Sequence, residues 1–167
     1  MSTIRSQLIT PYLWFDNRAE EAANFYTSLF PNSGIVRLTR YSKEVAEAAG
    51  QEAGSVMVVE FELDGMRFVG LNGGPVFQFT EAISFLIGCE SQEEVDRYWS
   101  ALAGGGSEQQ CGWLKDRFGV SWQVVPTKLF RMMESGQPER VGRVSQALFQ
   151  MKKIDLPALE RAFQGDS

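Results

Sequence analysis

Residues 111–126, reading CGWLKDRFGVSWQVVP, decide how the rest of the chain is read. An apolar strand centred on Trp113 runs into Asp116-Arg117-Phe118-Gly119, a tight polar turn. A second strand over residues 120–125 follows and is stopped by Pro126, which cannot donate to a ladder. Gly119 suits the positive φ of the turn, and Val120, Trp122 and Val124 alternate as the apolar face of a half-buried strand. Ser121, Gln123 and Val125 then point to the opposite face, because successive side chains alternate across a strand.

Working back from this hairpin, residues 55–63 and 66–71 form an earlier one about Asp64-Gly65, a strong turn dipeptide. Residues 9–15 read as a strand, with Ile9, Pro11, Leu13 and Phe15 on one face and Thr10, Tyr12 and Trp14 on the other. Asn17 with Glu20 has the spacing of a capping box. Ala19, Ala22, Ala23, Tyr26 and Phe30 follow at helical spacing until Pro31-Asn32-Ser33-Gly34. Residues 35–41 read as a strand, and the acidic, Ala-rich residues 42–53 as a loop or short helix.

The pattern then recurs. Residues 82–87 read as a strand, Ser91 with Glu94 as a second capping box, and Val95, Tyr98, Trp99 and Leu102 as an apolar helix face ended by Gly104-Gly105-Gly106. Each half is therefore strand, helix and about three strands. A half-unit of this kind cannot cover its own sheet face, so the two are expected to pair into one larger curved, mixed sheet. The chain reads as one α+β domain over residues 1–167: a βαβββ module at about 8–74, a second at about 80–126, and a helical tail over 127–167. In the tail, Asp155-Leu156-Pro157 is a helix start.

Composition narrows the chemistry. The 167 residues are 44% hydrophobic and 22% charged, with a net charge of -5 and no basic stripe, which argues against nucleic-acid binding. The first residues lack the apolar run of a signal peptide, and no stretch approaches the ~20 apolar residues of a membrane span. Two cysteines make no disulfide framework, so a cytoplasmic location is expected. There is no histidine, which excludes Ser-His-Asp and Cys-His catalysis and leaves any metal site to carboxylates and thiols. Cys89 and Cys111 read as inert thiols rather than a redox pair, because neither has CxxC spacing or a basic neighbour. Glu60 and Glu62 alternate on one strand face and read as solvated. Gly70-Leu71-Asn72-Gly73-Gly74 reads as a turn, because Pro75 follows where a nucleotide loop would open a helix.

Several spaced words carry a family resemblance: ITPYLWFDN with AEEAANFYTSLFP, LNGGPVFQF, SQEEVDRYWSAL, CGWLKDRFGVSWQVVP and KIDLPALERAF. Together they resemble the PhnB-like, demethylubiquinone methyltransferase-like branch of the vicinal-oxygen-chelate superfamily, which includes glyoxalase, bleomycin-resistance proteins and extradiol dioxygenases. The resemblance implies a concave pocket, with metal ligands in metal-using members on the first and last strands of each half. Those positions fall on Thr10, Val69, Ala82 and Gln123, which offer no charged oxygen, so neither a metal nor another cofactor is expected. No glycine-rich strand-loop-helix for a nucleoside cofactor supports the methyltransferase label. The implied ligand pocket is lined by Thr10, Tyr12, Trp14, Arg67, Ser84, Ser121 and Gln123, a set that suits a small, flat organic molecule. Three readings stand: a metal-free small-molecule-binding protein, a superfamily enzyme with an unrecognised site, or an interaction module with a closed pocket. A homodimer is expected, because the halves carry unmatched strand edges and the tail adds an apolar face.

Overall fold

The computed structural model describes residues 7–165, and the chain divides into two units, Met1–Gln78 and Phe79–Ser167. Fourteen elements are described: eight strands, β1 to β8, and six helices, α1 to α6.

The first unit runs β1 (Tyr12–Phe15), α1 (Ala19–Leu29), β2 (Gly34–Arg40), α2 (Lys43–Ala49), β3 (Val56–Leu63) and β4 (Met66–Asn72). Its sheet has the order β1-β4-β3-β2, with β1 parallel to β4 and the other pairs antiparallel. Leu13, Phe15, Val59, Phe61, Leu63 and Phe68 form the buried face, and the matching surface of α1 is Ala19, Ala22, Ala23 and Tyr26. The Asp64-Gly65 turn has both residues at positive φ, 47° and 76°, as a two-residue hairpin of matching twist requires.

Two expectations change here. The first strand starts at Tyr12 rather than residue 9. Pro11 still accepts from Val69 N–H, and the Gln7 carboxamide substitutes for a backbone peptide, bonding both Arg67 N (2.8 Å) and Arg67 O (3.0 Å). The capping box at Asn17 does not form: the helix is preceded by Arg18, which provides no side-chain cap. The cap comes instead from β4. Buried Asn72 accepts from Ala19 N–H at 2.8 Å, donates to Val56 O at 3.1 Å, and receives the Tyr41 hydroxyl on its carbonyl at 2.6 Å. Residues 42–53 contain a short helix, α2, capped by Ser42 and ended by Gly50 at φ 65°.

The second unit runs β5 (Phe85–Cys89), α3 (Gln92–Ala103), β6 (Ser107–Glu108), β7 (Trp113–Lys115) and β8 (Ser121–Pro126), then α4 (Thr127–Met133), α5 (Pro138–Leu148) and α6 (Leu156–Gln164). Its sheet order, β5-β8-β7-β6 with β5 parallel to β8, repeats that of the first unit. The hydrogen-bonded ladders stay within each unit, so each module has its own four-stranded sheet. The expected strand at 82–87 starts at Phe85. The Ser91 half of the second capping box forms, with Ser91 Oγ accepting from Glu94 N–H at 3.2 Å, while Glu94 reaches back one residue further than the cap, to Glu90 N–H at 2.7 Å.

Strand β8 is buried on both faces except at Gln123. Trp122 and Val124 lie on the side of α3, whose buried residues are Val95, Tyr98, Trp99 and Leu102. Val125, on the other side, belongs to a tail core with Leu129, Met132, Val144, Ile154, Leu156 and Leu159. Two stitches fix the tail to the rest of its unit. Cys111 and Gly112 N–H donate to Met151 and Lys152 O at 2.8 Å each, and Gln92 bonds Ile154 O and Leu156 N–H. Gly112, at φ 82°, has no room for a side chain: a β-carbon there would lie 2.8 Å from Ile154.

The turn after β7 is held by one carboxylate. Asp116, 3% exposed, accepts from Phe118 N–H (2.8 Å), Val120 N–H (3.0 Å) and the Trp122 indole N–H (2.8 Å). Asp116→Ala strands these donors in the interior and is expected to cost about 3–5 kcal/mol. Asp116→Asn keeps one acceptor oxygen but cannot offer acceptors to all three donors, and should cost about half as much. Urea melts of the two variants check the order.

Candidate functional site

In each sheet one face lies under a helix and the other is partly open. In the second sheet it is open along the Leu86–Gln123–Trp113 row but not at Ser121 or Val125. Strand register places the side chains of this face in rows. In the first unit, one row is Arg37, Glu60, Val69 and Tyr12, and the next is Thr39, Val58, Leu71 and Trp14. Glu62 and Arg67 form the start of a third. In the second unit, Leu86, Gln123 and Trp113 lie side by side across β5, β8 and β7, and Lys115 lies beside Ser121.

Of the seven sequence-predicted pocket residues, Thr10, Tyr12, Trp14 and Arg67 are in the first unit, and Ser84, Ser121 and Gln123 in the second. Thr10 is half-buried ahead of β1, and Tyr12 is 59% exposed. Trp14 is held by its own unit: its indole N–H donates to Gly74 O at 2.9 Å, and Phe77 meets the ring edge-on at 4.9 Å. A β-carbon on Gly73 would lie 2.1 Å from the indole, so the glycine-rich run after β4 serves to seat Trp14. Arg67 pairs with Glu62 at 3.1 Å, and Arg37 pairs with Glu60, so the two glutamates are ion-paired rather than simply solvated.

In the second unit Gln123 Nε2 donates to Ser84 Oγ at 2.9 Å, which joins two of the predicted residues directly. Ser121 is 1% exposed and its hydroxyl has no partner among the described residues. Ala82 is exposed and lies outside the strand. The register supplies a different equivalence. Tyr12 pairs with Val69 and Leu86 with Gln123, so the position two residues ahead of Tyr12, Thr10, corresponds to Ser84.

Sequence reasoning missed Leu86, Trp113 and Lys115 on this face, and Glu81 beside it. Trp113 and Lys115 are two residues apart and pair with Gln123 and Ser121, so the hairpin register carried the signal. Lys115 Nζ lies 2.6 Å from Glu81, which also accepts from Gln109 at 3.1 Å. The Lys115 ammonium, with smaller help from hydrogen bonds to the Glu81 backbone and Gln109, holds the Glu81 carboxyl below its usual range. A carboxyl lowered in this way contributes stability at neutral pH and loses that contribution as acid protonates it.

Both thiols are free, and burial pushes Cys89 up to about 12, so it is protonated and inert at physiological pH. Cys111 is half-buried, with Sγ 3.7 Å from Leu148 O.

A family model described as 3-demethylubiquinone-9 3-methyltransferase matches residues 7–125. The chain belongs to this family. Its likeness to the solved PhnB protein from Bacillus cereus is 37% identity over 72% of this chain and 100% of that one, with a TM-score of 0.65. The protein PA1353 from Pseudomonas aeruginosa is 25% identical over 71% of this chain and 96% of that one, TM-score 0.58. The fosfomycin resistance protein FosX from Listeria monocytogenes, solved with Mn(II), shares 18% identity over 77% of this chain and 98% of that one. Its TM-score of 0.53 shows a shared fold. No curated protein matches the chain. The PhnB-like branch of the vicinal-oxygen-chelate superfamily is therefore the right placement, and the helical tail lies beyond the matched residues.

The superfamily's metal positions fit a divalent ion poorly in this chain. Thr10, Val69, Ser84 and Gln123 supply two hydroxyls, one amide and a valine, without a charged donor to offset dehydration. Among the described residues no three Cys, Asp or Glu side chains gather as a ligand set.

The face assignment predicts unequal mutational costs. Trp122 is 3% exposed, packs on Phe85 with ring centroids 5.5 Å apart, and bonds Asp116, so Trp122→Ala should cost about 3–5 kcal/mol. Gln123 is half-buried with one side-chain partner, and Gln123→Ala should cost less than about 1 kcal/mol. Denaturant melts giving equal losses would contradict the open face.

Proposed function

We propose that this chain is a metal-free small-molecule-binding protein and that the open face of the second sheet is a binding surface for a small, flat organic molecule. The observation that carries this reading is the Leu86–Gln123–Trp113 row. An aliphatic, an amide and an indole side chain stand next to one another, none fully buried, on the face away from α3. Such a row offers apolar area, a stacking surface and a hydrogen-bonding group together, the usual make-up of a small-molecule site. Ser84 orients the Gln123 amide, and Lys115 adds a charge one row away. Tyr12, Thr10 and Arg67 are the corresponding candidates in the first unit, where Tyr12 is the most exposed of them and Arg67 is engaged by Glu62. Trp14, seated by Gly73, Gly74 and Phe77, is assigned to the edge of that face. The glycine-rich run that holds it leads into Pro75 and not into a helix, so no nucleoside cofactor is assigned to it.

The test is a fragment screen by native mass spectrometry on the intact protein, repeated on Trp113→Ala. Adducts that survive in the wild type and disappear in the variant support the reading, and adducts indifferent to Trp113 overturn it. Elemental analysis after dialysis should find no stoichiometric divalent metal. One tightly held equivalent of manganese, zinc, nickel or iron would contradict the metal-free assignment.

We also infer a cytoplasmic homodimer. Strands β1 and β5 are sheet edges, and exposed apolar residues flank both: Leu8 and Ile9 beside β1, Ile83 and Leu86 at β5. No helix among the described residues is long and apolar enough to cross a membrane. Sedimentation at micromolar concentration should give twice the chain mass of 18.7 kDa, and a species at the chain mass itself would refute the dimer.

A further inference from the structure

We propose that Glu81 is a built-in carboxylate plug of the second-sheet face, and that a small organic carboxylate binds there by taking its place on Lys115 and Gln109. This rests on the reading that the face binds small molecules, and it names the class. Glu81 belongs to the segment ahead of β5, yet its carboxylate reaches past β8 to β7, where Lys115 Nζ lies at 2.6 Å. Gln109 Nε2, between β6 and β7, donates to the same oxygen at 3.1 Å. At the start of the segment Phe79 rests on the β7–β8 turn: a β-carbon at Gly119 would lie 3.7 Å from its ring. At its end Ser84 receives the Gln123 amide. Residues 79–84 therefore run from the turn, past Lys115, to β5. Ser121, paired in register with Lys115, is 1% exposed and its hydroxyl has no partner among the described residues.

The occupied cluster shows what chemistry it accepts. An ammonium and an amide N–H converge on a carboxylate, and Ser121 is paired in register with the Lys115 that carries the ammonium. The lowered proton affinity of Glu81 agrees that the place favours the anionic form. The plug is also displaceable. The Lys115 and Glu81 side chains are 30% and 46% exposed, and partly exposed ion pairs are held weakly. Lys115 and Trp113 are two residues apart on one strand, so their rows are separated by about 7 Å. An aryl carboxylate about as long as benzoate spans that gap, with its anion on Lys115 and its ring against Trp113 and Leu86. A plug that fills the site about 90% of the time lowers apparent ligand affinity about tenfold.

Calorimetric titration of the full-length protein with benzoate, benzamide and benzylamine tests this, using wild type, Glu81→Ala, Lys115→Met and Gln109→Ala. The expected result is that Glu81→Ala binds benzoate about tenfold more tightly, Lys115→Met loses benzoate binding, and Gln109→Ala weakens it. Near-ultraviolet circular dichroism of each variant verifies the fold, and Gln109→Ala keeps the test decisive should Lys115→Met fail to fold. Benzoate affinity unchanged or weakened in folded Glu81→Ala overturns the plug. Benzamide or benzylamine binding in a Trp113-dependent way while benzoate does not overturns the carboxylate class and leaves the small-molecule reading standing. A fragment screen without any Trp113-dependent ligand removes both.

Discussion

The three hydrogen bonds accepted by the buried Asp116 carboxylate set the geometry on which the second unit depends. A four-residue turn has few ways to close, and Asp116 selects one by binding the backbone of Phe118 and Val120. Its other oxygen takes the Trp122 indole N–H, so the same group that closes the turn also decides which way β8 presents its side chains. A slip of one residue would reverse every side chain on the strand. With Trp122 on the α3 side, Gln123 must lie on the open one, in line with Leu86 and Trp113. A buried carboxylate is tolerated here because its oxygens are engaged by donors that would themselves be costly to leave unpaired.

The two modules share a backbone plan and differ in what they place on it. Matched by register, Val69 corresponds to Gln123, Glu60 to Trp113, and Glu62 to Lys115. The first face therefore carries two carboxylates where the second carries an indole and an ammonium. Their ties differ too. Asn72 links β4 to the start of α1 and to β3, so the first sheet and its helix are locked by one amide. In the second unit α3 is capped locally by Ser91, and the longer-range tie runs through Gln92 to the tail.

That tail changes what the second face can do. Val125 points to the same side as Gln123, and the tail helices bury it together with Leu129, Ile154 and Leu159. The Gly112 backbone lies against Ile154 with no space for a β-carbon. One end of the open face is thus filled by the chain's own helices, the other is crossed by residues 79–84, and the Leu86–Gln123–Trp113 row lies between them.

The amino-acid sequence by itself determined the class and the modules, because those depend on local chemistry. Alternation in residues 120–125, the Asp64-Gly65 and Asp116–Gly119 turns, and the Ser91 cap each involve residues a few positions apart. The same parity set Gln123 on the face opposite Trp122. Tertiary structure decided what depended on distant partners. The cap of α1 comes from Asn72, 53 residues away, so the local Asn17 signal was misleading. Ahead of Tyr12, Pro11 has no N–H for the ladder, and the Gln7 side chain takes the Arg67 backbone groups in place of a strand residue. Glu81 sits on Lys115 because a segment 34 residues ahead of Lys115 folds back across the face. Such contacts join residues with no periodic relation in the chain, and only folding brings them within hydrogen-bonding distance.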